Sequence, residues 1–313
     1  MWFPISNYQL KFKAAKYYYE KDLTQQEIAD KMNVSRPTVS NLLSQAREEG
    51  IVKIEIEDIR KDGQLIEAEK KIEDLYGLDE VKIAKCQSQA ALLDCIGQKA
   101  AEYFDRVVEH QMKVGVSWGR TLSSMMKHLP GRREDMELEV VTLAGGSGDS
   151  SSEVHCNILA DKIIENYGGA GYYLYAPVIV DNEDVCRALL SNQETQKILE
   201  KAKNVDLAIV GIGSPIESSN LLKTGYFQEE EVKEVRKKGA IGDICSRFFD
   251  EEGNSCDLSI NRRAIGITLD DLRKINCVVG VAGGKEKIES IKAAMLGDYI
   301  DVLITDAITA ENI

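Results

Sequence analysis

The chain has 313 residues, of which 43% are hydrophobic and 29% charged, and its formal net charge is -13. Those values describe a globular chain with room for two domains and exclude a disordered polymer. No stretch approaches the roughly 18 consecutive apolar residues of a membrane helix, and the opening MWFPISNYQLKFK lacks an apolar signal core, so a cytoplasmic protein with no membrane partner is expected.

From Tyr8 to Tyr19 the apolar residues Leu10, Phe12, Ala15 and Tyr19 recur at helical spacing and predict a first helix that ends near Lys21 and Asp22. Thr24 followed three residues later by Glu27 is a capping box, which starts a second helix with Ile28, Ala29 and Met32 on its inner face. Asn33 suits the left-handed residue that ends this helix, and Val34 fills the core where the chain turns. Ser35 caps a third helix, Pro37 sits in its first turn where a missing amide proton costs little, and Val39, Leu42, Leu43 and Ala46 form its buried stripe.

Off that stripe stand Ser35, Arg36, Thr38, Ser40, Asn41 and Arg47, with Pro37 in the same first turn and Thr24 and Gln25 opening the second helix. Arginine pairs with guanine or phosphate, asparagine with adenine, and hydroxyls with phosphates, so this polar face is a candidate surface for double-stranded operator DNA. The spacing is that of a helix-turn-helix. A helical hairpin with a merely solvated face is the plainer alternative. Gly50 closes the third helix, and IVKIEIED over 51–58 alternates as the strand of a wing. The charge is divided: residues 1–53 hold eight Lys and Arg against six Asp and Glu, a balance of +2 that leaves -15 for the remainder. Local positive charge permits DNA binding, while the acidic remainder repels DNA and helps orient the molecule.

Residues 58–77 read as a charged helical connection, and the rhythm then changes. The strand-like runs DEVKIAKC, KVGVSW, LEVVTL, GYYLYAP, DLAIVGIG, CVVGVAGG and DVLITD alternate with helical runs at 88–108, 153–167, 182–203 and 285–296. That alternation predicts an α/β, doubly wound, Rossmann-like parallel sheet in which residues 58–313 form one domain after a DNA-binding domain over 1–57. The glycines collect at strand ends: Gly115 and Gly119, Gly145 and Gly146, Gly211 and Gly213, Gly283 and Gly284. Ligands of such sheets bind there.

In VGVSWGRT the amides of Gly119, Arg120 and Thr121, with the side chains of Ser117 and Thr121, are placed to hold a phosphate, and VAGGKEK adds Lys285 and Lys287. The plainer reading of any single glycine pair is tight packing. No GxGxxG or GxxxxGK[ST] motif is present, which argues against a dinucleotide or nucleoside triphosphate, and no cofactor is expected. Glu153, His155, Asn157 and Asp243 are polar candidates for sugar hydroxyls. Seven cysteines stand singly with no CxxC pair, so reduced thiols, no disulfides and no metal site are expected.

The succession LTQQEIADKMNVSRPTVSNLL, VGVSWGRTL, DLAIVGIGSP, GAIGDICSRFFDEEG, LDDLR and VAGGKEKIESIKAAMLGDYIDVLITD resembles the SorC/DeoR family of bacterial sugar-responsive transcriptional regulators over residues 8–312. The resemblance implies an N-terminal helix-turn-helix, an effector domain similar to sugar-phosphate isomerases and glucosamine-phosphate deaminases, and a tetramer. It also implies a phosphorylated-sugar effector, with the phosphate on Gly119, Arg120, Thr121 and Lys287 and the hydroxyls met by Asp243 and the His155/Asn157 region. Some related domains carry a Schiff-base lysine in the loop after the third strand. Here that loop reads TLAGG, with Ala144, so non-covalent binding is expected.

Two functions compete on the sequence. A ligand-controlled regulator of a carbohydrate operon uses both halves of the chain. A sugar-phosphate isomerase or deaminase needs a positioned general base, for which Asp243 with His155 is the available proposal, and leaves the N-terminal unit idle.

Overall fold

In the computed structural model the chain divides into two compact units, residues 1–61 and 62–313. The structure describes residues 7–53, 63–86, 88–131, 135–146, 154–214 and 229–313.

The first unit is three helices, α1 (Asn7–Tyr19), α2 (Gln25–Met32) and α3 (Arg36–Glu48). The Glu27 amide donates to Thr24 Oγ1 at 3.4 Å while the Thr24 amide donates to the Glu27 carboxylate at 2.8 Å, so both halves of the capping box form. Asn33 takes the left-handed conformation with φ 55°, and the next amide, Val34, returns to the Ala29 carbonyl at 3.0 Å. Ser35 Oγ then accepts the Thr38 amide at 3.3 Å and starts α3. Ile28, Ala29, Val39, Leu42, Leu43 and Ala46 close over Ala14 and Ala15 of α1 as one small core. The buried Lys11 of α1 pairs with Glu49 just beyond α3, which ties the two helices without breaking that core. Ile51, Val52 and Lys53 form no strand, and the rest of the expected wing strand, residues 54–58, lies outside the described residues.

The second unit opens with α4 (Gly63–Tyr76), within the expected connection, and builds a seven-stranded sheet. Its strands are β1 (Glu80–Ala84), β2 (Lys113–Val116), β3 (Leu138–Thr142), β4 (Gly169–Tyr172) and β5 (Leu207–Gly211). A separate antiparallel hairpin, β6 (Gly242–Ile244) and β7 (Arg247–Phe249), precedes β8 (Val278–Val281) and β9 (Val302–Asp306). The sheet order is β1-β9-β8-β5-β2-β3-β4, and every pair in it is parallel. β5, β8 and β9 are almost wholly apolar and buried because helices cover both faces, whereas the edge strand β1 alternates.

From β2 the chain winds outward through β3 and β4, then returns to β5 and winds the other way through β8 and β9. The winding therefore reverses between β2 and β5, and a doubly wound sheet opens its ligand crevice at that point. Two helices frame it: α5 (Leu92–Val107), which follows β1, and α6 (Arg120–Lys127), which follows β2. The expected helix over 182–203 is two, α7 (Glu183–Leu190) and α8 (Gln193–Lys203), because Asn192 accepts the Glu194 and Thr195 amides and caps a new start. The strand expected over GYYLYAP begins earlier, at Gly169, and has ended by Tyr173.

Candidate functional site

On the first unit Ser35, Arg36, Pro37, Thr38, Ser40, Asn41 and Arg47 are all exposed, and none belongs to the helical core. Thr24 is exposed and Gln25 half-buried at the start of α2. The fold thus presents the face of a recognition helix with its buried stripe turned away, which is the arrangement that groove reading requires.

On the second unit a cavity of about 270 Å³ lies at the carboxyl ends of β2 and β5, where the winding reverses. Gly119, Arg120 and Thr121 line it from the start of α6, Gly211 and Gly213 from the end of β5, Asp243 from β6, and Gly283 and Lys287 from the segment after β8. Residues scattered over 169 positions of sequence therefore meet in one crevice.

The hairpin makes this meeting possible. Gly213 and Asp243 exchange backbone hydrogen bonds, Gly213 N to Asp243 O at 2.8 Å and Asp243 N to Gly213 O at 3.2 Å, so β6 docks against the end of β5. The two residues that turn the hairpin, Cys245 and Ser246, both have positive φ, at 52° and 63°. A two-residue turn of this handedness ordinarily takes Asn-Gly, so the Cys-Ser pair holds backbone strain beside the cavity. Ser246 is fully buried and its hydroxyl has no hydrogen-bond partner. Its amide supports the Asp243 carboxylate.

Burial pushes the Asp243 carboxyl up to about 6, against the Lys287 ammonium and the Ser246 amide, which both favour the charged form. Burial likewise lowers the Lys287 ammonium, opposed by Asp243 and Glu286 and reinforced by Arg120. Lys287 Nζ donates to the Ile212 carbonyl at 2.7 Å, which directs the cation across the crevice. Arg120 of α6 and Lys287 after β8 thus line the same cavity as Asp243, an arrangement suited to a small polar anion.

Several expected ligand residues have structural partners instead. Ser117 is buried and its Oγ accepts the Gly211 amide at 3.2 Å, locking β2 to β5 behind the cavity wall. The Gly119 amide donates to the Val154 carbonyl at 3.0 Å, leaving Arg120 and Thr121 to supply first-turn amides. The Gly284 amide donates to Asp306 Oδ2 at 2.9 Å and Thr309 Oγ1 at 2.8 Å, so it faces the fold. Gly145, Gly146, His155 and Asn157 do not line the crevice. A methyl group on Gly145 would meet the Pro177 carbonyl oxygen at 2.7 Å, which explains the glycine by packing. Gly146 bridges to Pro177, and Asn157 Oδ1 receives the Cys156 thiol at 3.6 Å. His155 stands just before the helix Cys156–Tyr167 with a buried, unpartnered Nε2. Glu153 lies outside the described residues.

Gln89, Trp118, Ser214, Cys245 and Glu286 also line the cavity. Trp118 stood in the VGVSWGRT run and Cys245 in GAIGDICSRFF, but Gln89 comes from the turn before α5 and carried no signal. Among the described residues no group of His, Cys, Asp and Glu is arranged to hold a metal ion, and no helix is long and apolar enough to cross a membrane.

A helix-turn-helix unit followed by an α/β unit with a polar cavity at its winding reversal defines a ligand-responsive DNA-binding regulator. Residues 61–313 match the family described as "Putative sugar-binding domain", and residues 16–49 match "Sigma-70, region 4". The chain belongs to the SorC/DeoR family of transcriptional regulators. It is 38% identical over 304 residues to the deoxyribonucleoside regulator of Bacillus subtilis (strain 168), covering 96% of each chain. It is 31% identical to the sorbitol operon regulator of Klebsiella pneumoniae, covering 97% of this chain and 96% of that one. The crystal structure of the full-length sorbitol operon regulator SorC from Klebsiella pneumoniae aligns with a TM-score of 0.76 at 32% identity, covering 97% of both chains. Relatives matched along nearly their whole length are named regulators, which decides the choice between regulator and sugar-phosphate-converting enzyme for the regulator.

Proposed function

We propose that the chain controls a carbohydrate operon through non-covalent binding of a phosphorylated sugar in the crevice between β2 and β5. The observation that carries this reading is the convergence of Arg120, Thr121, Lys287 and Asp243 on one cavity of about 270 Å³. Arg120, Lys287 and the first amides of α6 receive the phosphate, while Asp243 and Gln89 meet the hydroxyls. Ala144, fully buried, offers no amine for covalent capture. The protein acts in the cytoplasm as a tetramer, with residues 1–57 on operator DNA and residues 58–313 holding effector and neighbouring subunits. Effector changes operator affinity by the ratio of its affinities for the two states of that assembly.

A thermal-shift panel of sugar phosphates, the matching free sugars and inorganic phosphate tests this, since a ligand that binds only the folded state raises the melting temperature. A shift with one sugar phosphate and none with its free sugar is expected. A shift with free sugars alone would reject the phosphate and leave the regulator.

A further inference from the structure

The first unit contains a second feature that the recognition-helix face does not account for. A cleft of about 670 Å³ opens between the end of α1, the first turn of α2 and the first residue of α3. Tyr18 and Tyr19 form one wall, Thr24 and Gln25 another, and Arg36 the third. Three of these five are candidate DNA contacts by position. The tyrosines are new.

Their exposure needs a reason. Tyr17 takes the core-facing position of this turn, half-buried against the helical core, and leaves its two neighbours outside. Tyr18 and Tyr19 are 37% and 38% exposed, and their rings meet edge to face with centroids 5.0 Å apart. Each ring therefore restrains the other, while both hydroxyls remain without a hydrogen-bond partner in the described chain, as does the Arg36 guanidinium. A cleft lined by two phenol side chains and a guanidinium suits a phosphate of a nucleic-acid backbone, for which tyrosine hydroxyls and arginines are ordinary donors. One group opposes it: Asp22, held with φ 50° in the connection before α2, places a carboxylate on the same cleft.

We propose that this cleft seats a phosphate of the DNA backbone, with Tyr18, Tyr19 and Arg36 donating to it, so that the end of α1 belongs to the DNA-contacting surface. Phosphate contacts set register and orientation and carry no base preference. The tyrosines thereby fix how α3 enters the groove, and Asp22 limits the strength of that grip.

The test uses the full chain and fluorescence anisotropy with a mixed-sequence DNA duplex, titrated over a range of salt. Tyr18→Phe and Tyr19→Phe, which keep the rings and delete only the hydroxyls, should each weaken binding about five-fold, equally on every duplex sequence. Their melting temperatures should match that of the unaltered chain. Because the lost groups are neutral, the salt slope should be unchanged, whereas Arg36→Ala should lower it by about one. Asp22→Asn should tighten binding. Unaltered affinity in both Phe variants, with Arg36→Ala weakened, would overturn the tyrosine contacts and leave the regulator standing. Weakening confined to particular sequences would overturn the phosphate assignment. If the unaltered chain bound no duplex at all, the regulator reading itself would fail.

Discussion

The Asp243 carboxylate lies directly against the α-carbon of Gly213, so close that a methyl group there would overlap Oδ1. This contact explains the glycine more specifically than any need for bare backbone at a strand end. Gly213→Ala has to push the carboxylate out of the crevice or part β6 from β5, because the backbone bonds between the two residues leave little slack. The expected cost is about 1–3 kcal/mol of stability together with loss of the effector-induced thermal shift. Denaturant titration and the ligand panel read the two separately, and a variant that kept both would show that the hairpin moves freely.

A pH dependence follows from the same carboxyl. Burial raises its folded value to about 6, above the unfolded carboxylate range, so the native state keeps its proton when the unfolded chain has already released it. Across the interval between those two values the native state binds more protons, and stability falls as pH rises; above about 6 the loss is complete and the contribution is flat. Urea unfolding at a series of pH values should show this slope in the unaltered protein and a flatter one in Asp243→Asn. An identical slope in both would place the titration elsewhere.

Lys287→Ala should abolish the effector-induced thermal shift while duplex binding at a given salt persists, and Arg36→Ala should weaken duplex binding while the thermal shift persists. Each residue sits in a different compact unit. Measuring both variants in both assays separates the reception of the signal from its output, and a Lys287→Ala protein that still responds would take that ammonium out of the site.

Arg247, the first residue of β7, is half-buried, and among the described residues no carboxylate pairs with its guanidinium. Its donors reach the carbonyls of Ala264 at 2.9 Å, Gly266 at 3.3 Å and Ile267 at 3.4 Å, and that of Asn261 as well. Asn261 in turn accepts the Phe248 amide at 2.8 Å, so the whole 261–267 segment is pinned to the hairpin that presents Asp243. Arg247→Met should cost about 3 kcal/mol by leaving carbonyls unpaired, and Arg247→Lys should recover little, since an ammonium cannot span the fork. Denaturant midpoints check both, and recovery by lysine would mean that charge rather than geometry is what counts.

The caps and turn of the first unit were legible because their determinants are local, whereas its first helix was legible only as a helix, since Phe12 and Tyr19 of its apolar set are exposed. Thr24 with Glu27, Asn33, and Ser35 with Thr38 each act within four positions, and the structure forms every one of those bonds. The sheet was legible from its apolar runs, but the boundaries of β4 were not. Leu174 N leaves the strand to donate to the buried Thr142 hydroxyl at 2.8 Å, a contact across 32 residues with no local signature. The candidate site was legible where glycine and lysine crowded together. It was not legible where identical glycine pairs serve different ends, as Gly145 against Pro177 and Gly213 against Asp243 do. Nor does sequence spacing reveal a hairpin outside the main sheet, since its partner, the end of β5, is about 30 positions away.

The hydrogen bond from Lys287 to the Ile212 carbonyl has a last implication, for timing. Under the function proposed above, the cation that receives the anion is already engaged by the segment just beyond β5 on the opposite wall, so arrival is a swap of partners and not the filling of a vacancy. On that reading an anion that draws Lys287 away sets the Ile212 carbonyl, one residue past β5, free at the moment of capture, and its release restores the bond. Occupancy is thereby written into the main chain at the point where the winding reverses, which is the part of the sheet that both of its halves share.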